Sequence, residues 1–220
     1  MTRAASLAAL LVLLAGGPAA PQPKPAPAAP MTFEQKMAWI LQLEDQRILR
    51  AAVPPPAVAT APAAAKGRRG RQAAPALPPT PDLVRLLQDP EGRVRRRAAQ
   101  AVGRAGVADG VAPLAAVLAG DRDAEVRQMA AFAMGLIGHA SAVEPLRAAL
   151  HDASALVRGR AAEALGLIGD AGSAQVIAAM ASAHLPAVAA AALDTDDGSS
   201  PIEPAAEAFR LGVYALTRLK

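Results

Sequence analysis

An all-α solenoid, built from stacked pairs of short helices, is the architecture this 220-residue sequence predicts on three observations. The first is a tandem repeat: Gly103, Gly135 and Gly166 fall 32 and 31 residues apart, and so do Gly106, Gly138 and Gly169 and the pairs Val94-Arg95, Val126-Arg127 and Val157-Arg158. A fixed period of that length, with two apolar-periodic segments in each unit, is the trace that stacked helix pairs leave in a sequence. The second is composition. The chain is 53% apolar but only 2% aromatic, so it cannot bury many large side chains, and its stability must be summed from small helix-to-helix contacts along a stack. The third is the excess of alanine, which loses least on entering a helix and lets neighbouring helices approach closely.

Residues 1–20 read as a signal peptide. Arg3 supplies a short positive region, Ala4 to Ala15 is small and aliphatic apart from Ser6, and Gly17-Pro18-Ala19-Ala20 offers small residues for cleavage. The apolar run is far short of the ~20 residues that span a bilayer, so export to the periplasm or the medium is expected, without a stable membrane anchor. With no cysteine in the chain, disulfides, thiolate metal sites, a cysteine nucleophile and a cysteine-linked lipid anchor are excluded.

Residues 21–31 carry Pro21, Pro23, Pro25, Pro27 and Pro30 and read as an extended spacer. Residues 32–53 read as one amphipathic helix. Thr32 with Gln35 makes a capping box, Phe33, Met37, Ile40, Leu41, Ile48 and Leu49 fall at helical spacing, and Pro54-Pro55-Pro56 ends it. A lone helix of this length is marginal in water. It is expected to cap the solenoid, the alternative being a docking helix for another protein. Residues 54–80 read as a Pro/Ala-rich linker carrying the cluster Lys66, Arg68, Arg69 and Arg71. Without aromatic interleaving, this cluster is expected to make at most weak contact with anionic surfaces; nucleic acid is not an expected partner of an exported chain.

The repeats are placed at 81–110, 111–142 and 143–173, with a degenerate fourth at 174–220 interrupted by an insertion. First helices are expected from Leu83, Pro113 and Pro145, and second helices from about Val94, Val126 and Val157. Pro113 and Pro145 suit an opening turn, where a missing N–H costs nothing. The stripe Val94, Ala98, Ala101, Val102, Ala105, repeated as Val126, Ala130, Ala133, Met134, Ile137 and as Val157, Ala161, Ala164, Leu165, Ile168, is the buried face. Gly103, Gly135 and Gly166 sit inside these helices at a cost of about 1 kcal/mol each against alanine, which implies close packing, and Gly106, Gly138 and Gly169 stand where a left-handed cap residue is wanted.

The pattern of an aspartate turn, Val-Arg, Ala-Ala and Leu-Gly-Leu-Ile-Gly, seen in Asp152, Val157-Arg158, Ala161-Ala162 and Leu165 to Gly169, resembles HEAT repeats of the phycobilisome-lyase-like subtype. The resemblance covers roughly residues 81 to 180. It implies a scaffold rather than an enzyme, and a structural ladder pairing Asp89, Asp121 and Asp152 with Arg95, Arg127 and Arg158 across successive turns. It also implies that the second helices line a concave face. The residues this leaves for a protein or peptide partner are Arg97, Gln100 and Arg104, then Met129, Phe132 and Leu136, then Arg160, Glu163 and Leu167. Those apolar members could instead pack on a neighbouring repeat.

No catalytic residue, cofactor or metal site is expected. The Asp194 to Ser200 run fails the EF-hand pattern, because Ala205 stands at a ligand position and Ser199 at the loop's glycine position. His139, His151 and His184 lack metal-ligand spacing, and no nucleophile elbow or phosphate loop is present. An exported protein-binding adaptor is therefore expected. The alternatives are the recruitment arm of a longer exported enzyme, such as a cyclophilin-type prolyl isomerase, and, less favoured, a protein like the bilin lyases.

Overall fold

A computed structural model describes residues 30–52, 80–193 and 203–219. The signal peptide, most of the spacer, the basic cluster Lys66, Arg68, Arg69 and Arg71, and the Asp194 to Ser200 run lie outside the described residues. Within the described residues the chain is an all-α solenoid. Helix pairs are formed by α2 (Leu83–Leu86) with α3 (Gly92–Ala105), α4 (Val111–Gly120) with α5 (Ala124–Ile137), and α6 (Val143–Ala149) with α7 (Ala155–Ile168). A fourth pair is formed by α8 (Ala174–Ser182) and α10 (Pro204–Arg218), with α9 (Leu185–Leu193) between them.

Helix starts differ from the sequence reading in a regular way. The second helices begin two or so residues before Val94, Val126 and Val157, because the turn aspartates Asp89, Asp121 and Asp152 each accept the N–H of the N-cap residue two on, at 3.0, 2.9 and 2.8 Å, and fix the turn ahead of the apolar stripe. Likewise α4 and α6 begin two residues before Pro113 and Pro145. Each proline is thus the third helical residue, still among the first four whose N–H has no partner inside the helix. Part of the insertion expected in the fourth repeat is helical: α9 opens at Leu185, and Pro186 is its second residue, where the same argument applies. Gly106, Gly138 and Gly169 end α3, α5 and α7 in the left-handed region, with φ of 70°, 69° and 83°.

The second helices stack directly on one another. A Cβ built on Gly103 would lie 2.7 Å from the Cα of Ala133; on Gly135, 2.8 Å from the Cα of Ala164; on Gly166, 2.7 Å from the Cα of Ala215. Glycine on one helix against the alanine backbone of the next brings α3, α5, α7 and α10 into register, and Ala99, Ala131 and Ala162 beside them are wholly buried. The first helices cover the other side of the stack through Leu83, Leu86, Leu114, Leu118, Leu146, Leu150 and Ile177.

One further layer was not legible as such in the sequence. Helix α1 (Phe33–Gln46) has the same 14-residue length as α3, α5 and α7 and packs on α3, without the glycine–alanine interlock of the other layers. Arg47 ends it with φ of 53°, the place held by glycine in the other layers. Helix α1 is therefore a second helix without a first, and its outward residues Gln35, Ala38, Gln42 and Asp45 are exposed, as a terminal cap requires. The predicted 32–53 helix is shorter than expected, because the chain turns at Arg47 and not at Pro54. Ile48 and Leu49 leave the helix, and the N–H of Leu83 donates to Leu49 O while that of Ala51 donates to Pro81 O. Leu41, assigned to the apolar stripe, is exposed, whereas Leu43 is buried.

Candidate functional site

Aligning α1, α3, α5 and α7 by their C-caps and ladder residues, and α10 by the contact of Gly166 with Ala215 that matches that of Gly135 with Ala164, gives a grid on the side away from the first helices. One row runs Ala38, Arg97, Met129, Arg160, Leu211; the next Leu41, Gln100, Phe132, Glu163, Tyr214; the next Asp45, Arg104, Leu136, Leu167, Arg218. All nine residues expected to face a partner thus fall on adjoining positions of α3, α5 and α7, and α1 and α10 extend the stripe at either end. Leu41 is 58% exposed, Leu136 42% and Tyr214 41%, on a chain whose other leucines are mostly buried. Phe132 is half-buried, with the Arg160 guanidinium 5.5 Å from its ring centroid, and Arg160 also donates to Glu163 at 2.7 Å. Cation and ring hold each other in place on this surface. Arg218 stands 5.8 Å from the Tyr214 ring and bonds the carbonyl of Gly166 at 3.4 Å.

At the α1 end, Glu44 lies between two guanidiniums, 2.7 Å from Arg104 Nη1 and 2.8 Å from Arg97 Nη2. The second contact is an ion pair out of line for a hydrogen bond, so Glu44 Oε2 has no hydrogen-bond partner. This single carboxylate neutralises one of two cations, and Arg104 keeps about half of its side chain in solvent at 51%. The Arg97 end of the stripe is therefore partly occupied by α1 itself, and the apolar middle on α5 and α7 is the open part.

Beneath the stripe, at the helix-pair turns, runs the ladder. Arg95 donates from Nε and Nη2 to the two oxygens of Asp121, at 2.6 and 2.8 Å, and from Nη1 to the Asp89 carbonyl at 2.9 Å. Arg127 repeats this with Asp152, at 2.9 Å twice, and with the Asp121 carbonyl at 2.9 Å. Each arginine thus holds the turn of its own repeat by backbone and that of the next by carboxylate, while each aspartate also accepts the N–H two residues on, as Asp152 does from Ser154 at 2.8 Å. Burial pushes the Asp121 and Asp152 carboxyls up, but the arginine bonds and backbone donors together outweigh it and hold both below 3.8.

Two of the six residues assigned to the ladder behave otherwise at its ends. Asp89 has no arginine before it and pairs with Lys36 of α1 at 2.8 Å, Lys36 standing in the ladder position of α1. Arg158 donates from Nη1 to the Asp152 carbonyl at 2.6 Å but meets no aspartate carboxylate; its Nη2 and Nε lie 3.2 and 3.4 Å from His184 Nε2. The fourth repeat carries histidine where the turn aspartate would be, because α8 runs into α9 at that point in place of an aspartate turn. His184 is buried, and that burial, with the Arg158 charge second, holds its imidazole below 6.5 against the opposing pull of Glu203. Sequence reasoning missed Lys36, Glu44, His184, Tyr214 and Arg218, since none lies in the segment where the repeat is self-similar. The one available signal was one of length, the 14 residues between Thr32 and Arg47 matching the second helices.

On the opposite side, cavities of about 520 and 460 Å³ flank α2, meeting at Val84 and Pro113. They exist because α2 has four residues where α4 has ten. Among the described residues no cluster of three metal-ligating side chains occurs, and no helix is long and apolar enough to cross a membrane.

Compared with known proteins, residues 111–195 match the family model of HEAT repeats. Among solved structures, the complex of CpcE and CpcF of phycocyanin lyase from Nostoc sp. PCC7120 is similar, at 24% identity and a TM-score of 0.46, over 73% of this chain and 58% of that one. This chain therefore spans less than two thirds of the solved chain it matches. No curated protein matches the sequence.

Proposed function

Taking residues 111–195 as HEAT repeats, we propose that this protein is an exported scaffold that binds another protein or peptide along the stripe of its second helices and performs no chemistry of its own. The observation that carries this reading is the set of accessible apolar side chains, Leu41, Leu136 and Tyr214, on adjoining rows of the stripe among Arg104, Arg160 and Arg218. Exposed aliphatic and aromatic groups framed by arginine are what protein-binding surfaces are made of. The interlocked glycines beneath keep that surface rigid, so little order need be gained on binding. Export rests on the charge, apolar run and small residues of positions 1–20.

The test is site-specific photocrosslinking in the source cell from position 136 on the stripe and, as a control, from the exposed position 116 on α4. A discrete protein adduct from 136, absent from 116 and lost when Phe132→Asp is introduced into a folded variant, is the expected result. Equal or no adducts from the two positions would overturn the reading. The intact mass of the cell-derived protein, shortened by the first 20 or so residues, tests export.

A further inference from the structure

Resting on the stripe as the binding surface, we infer that its occupant is an extended peptide carrying two carboxylates about eight residues apart with aliphatic side chains between them. The row formed by Arg104, Leu136, Leu167 and Arg218 is a guanidinium, two aliphatic side chains and a second guanidinium on four successive stacked helices. Stacked helices stand about 8–10 Å apart, and the glycine interlock places these at the close end of that range. The two arginines are therefore about 25 Å apart, the length of an extended segment of about eight residues at ~3.3 Å each. In such a segment alternate side chains face the same way, so its ends meet Arg104 and Arg218 while its middle lies over Leu136 and Leu167.

Charge decides the sign of the partner. On the stripe Arg97, Arg104, Arg160 and Arg218 stand with three carboxylates, Glu44, Asp45 and Glu163. Glu44 is shared by two guanidiniums, and Arg218 has no carboxylate at ion-pair distance among the described residues. One cation is thus left in surplus, and the open guanidiniums stand at the two ends of the apolar row: Arg218 without a carboxylate partner among the described residues, and Arg104 with half of its side chain in solvent. Asp45, next to Arg104 on α1, closes the row with negative charge and sets the limit that an acidic peptide does not cross.

The probe is a synthetic peptide of about nine residues with glutamate at both ends, leucine at the inward alternate positions and serine between, labelled for fluorescence anisotropy. Three comparison peptides carry lysine at the ends, glutamine at the ends, or the two glutamates moved side by side. The full chain is expected to bind the end-glutamate probe at least tenfold more tightly than any of the three. Arg104→Gln and Arg218→Gln, both at exposed positions, should each remove most of that preference, Arg218→Gln without lowering the melting temperature and Arg104→Gln with only the small loss that parting from Glu44 brings to a protein still folded by circular dichroism, and rising salt should weaken binding. Equal binding of the glutamine and glutamate probes, with loss on Leu136→Asp, would leave the stripe as the binding surface and overturn its acidic occupant. Tighter binding of the lysine probe would overturn it too. Failure of every probe, or a concentration-dependent dimer in sedimentation broken by Leu136→Asp, would overturn the acidic occupant and, in the first case, the binding role of the stripe with it.

Discussion

Gly135 tests whether the second helices are as close as the geometry requires. Substituting alanine places a Cβ 2.8 Å from the Cα and 2.9 Å from the Cβ of Ala164, against an ordinary carbon contact of about 3.5–4 Å. The obstacle is backbone on a neighbouring helix, so α5 and α7 must separate by several tenths of an ångström along their whole contact. Overpacking of this kind costs about 1–3 kcal/mol, and the gain in helix propensity returns about 0.5–1. A net loss of about 1–2 kcal/mol is expected, which lowers the melting temperature of a chain this size by roughly 3–8 °C. Gly120→Ala is the control: nothing lies within 4 Å of its Cβ and its φ is not positive, so it should gain about 0.5–1 kcal/mol. Gly138→Ala also meets open space, but at φ of 69° it should lose about 1 kcal/mol to backbone strain alone. Urea unfolding followed by circular dichroism separates the three. Ala164→Gly should not rescue Gly135→Ala, because the Cα of residue 164 remains in the way. A Gly135→Ala protein as stable as Gly120→Ala would refute the interlock.

Two further outcomes follow from the ladder. Asp152→Ala leaves Arg127, largely buried, without its carboxylate and should cost about 3 kcal/mol, whereas Glu144→Ala, at an exposed pair with Arg147, should change stability by less than about 0.5 in the same unfolding assay. For His184, burial and then Arg158 favour the neutral ring, so the unfolded chain protonates first as pH falls. Stability should be full above about 6.5, the unfolded value, and decline as pH falls through the lower folded one; comparing urea midpoints at pH 7.5 and 5, His184→Gln should lose that decline while the parent keeps it.

The repeat was legible because self-similarity is a property of sequence: Gly135 and Gly166, Val126-Arg127 and Val157-Arg158 recur at one period, and each recurrence is imposed by the same local packing. The grid of Arg97 to Leu167 was legible for the same reason, since helical spacing alone places those residues on one side of each helix. What was not legible lies at the ends of the stack. Helix α1 shares no glycine and no Val-Arg with the other layers, so nothing in its residues marks it as a second helix; it becomes one because α3 presents an alanine face that needs covering and Asp89 needs a cation.

The same holds for partners far apart in the chain. Sequence determined which helices form, their period and the small residues that let them approach, because propensity, capping and volume act over a few residues. Only the tertiary structure decided that Lys36 meets Asp89, that Glu44 meets Arg97 and Arg104, and that His184 meets Arg158, since each pairing spans from 26 to 60 residues and depends on which surfaces the stack leaves adjacent.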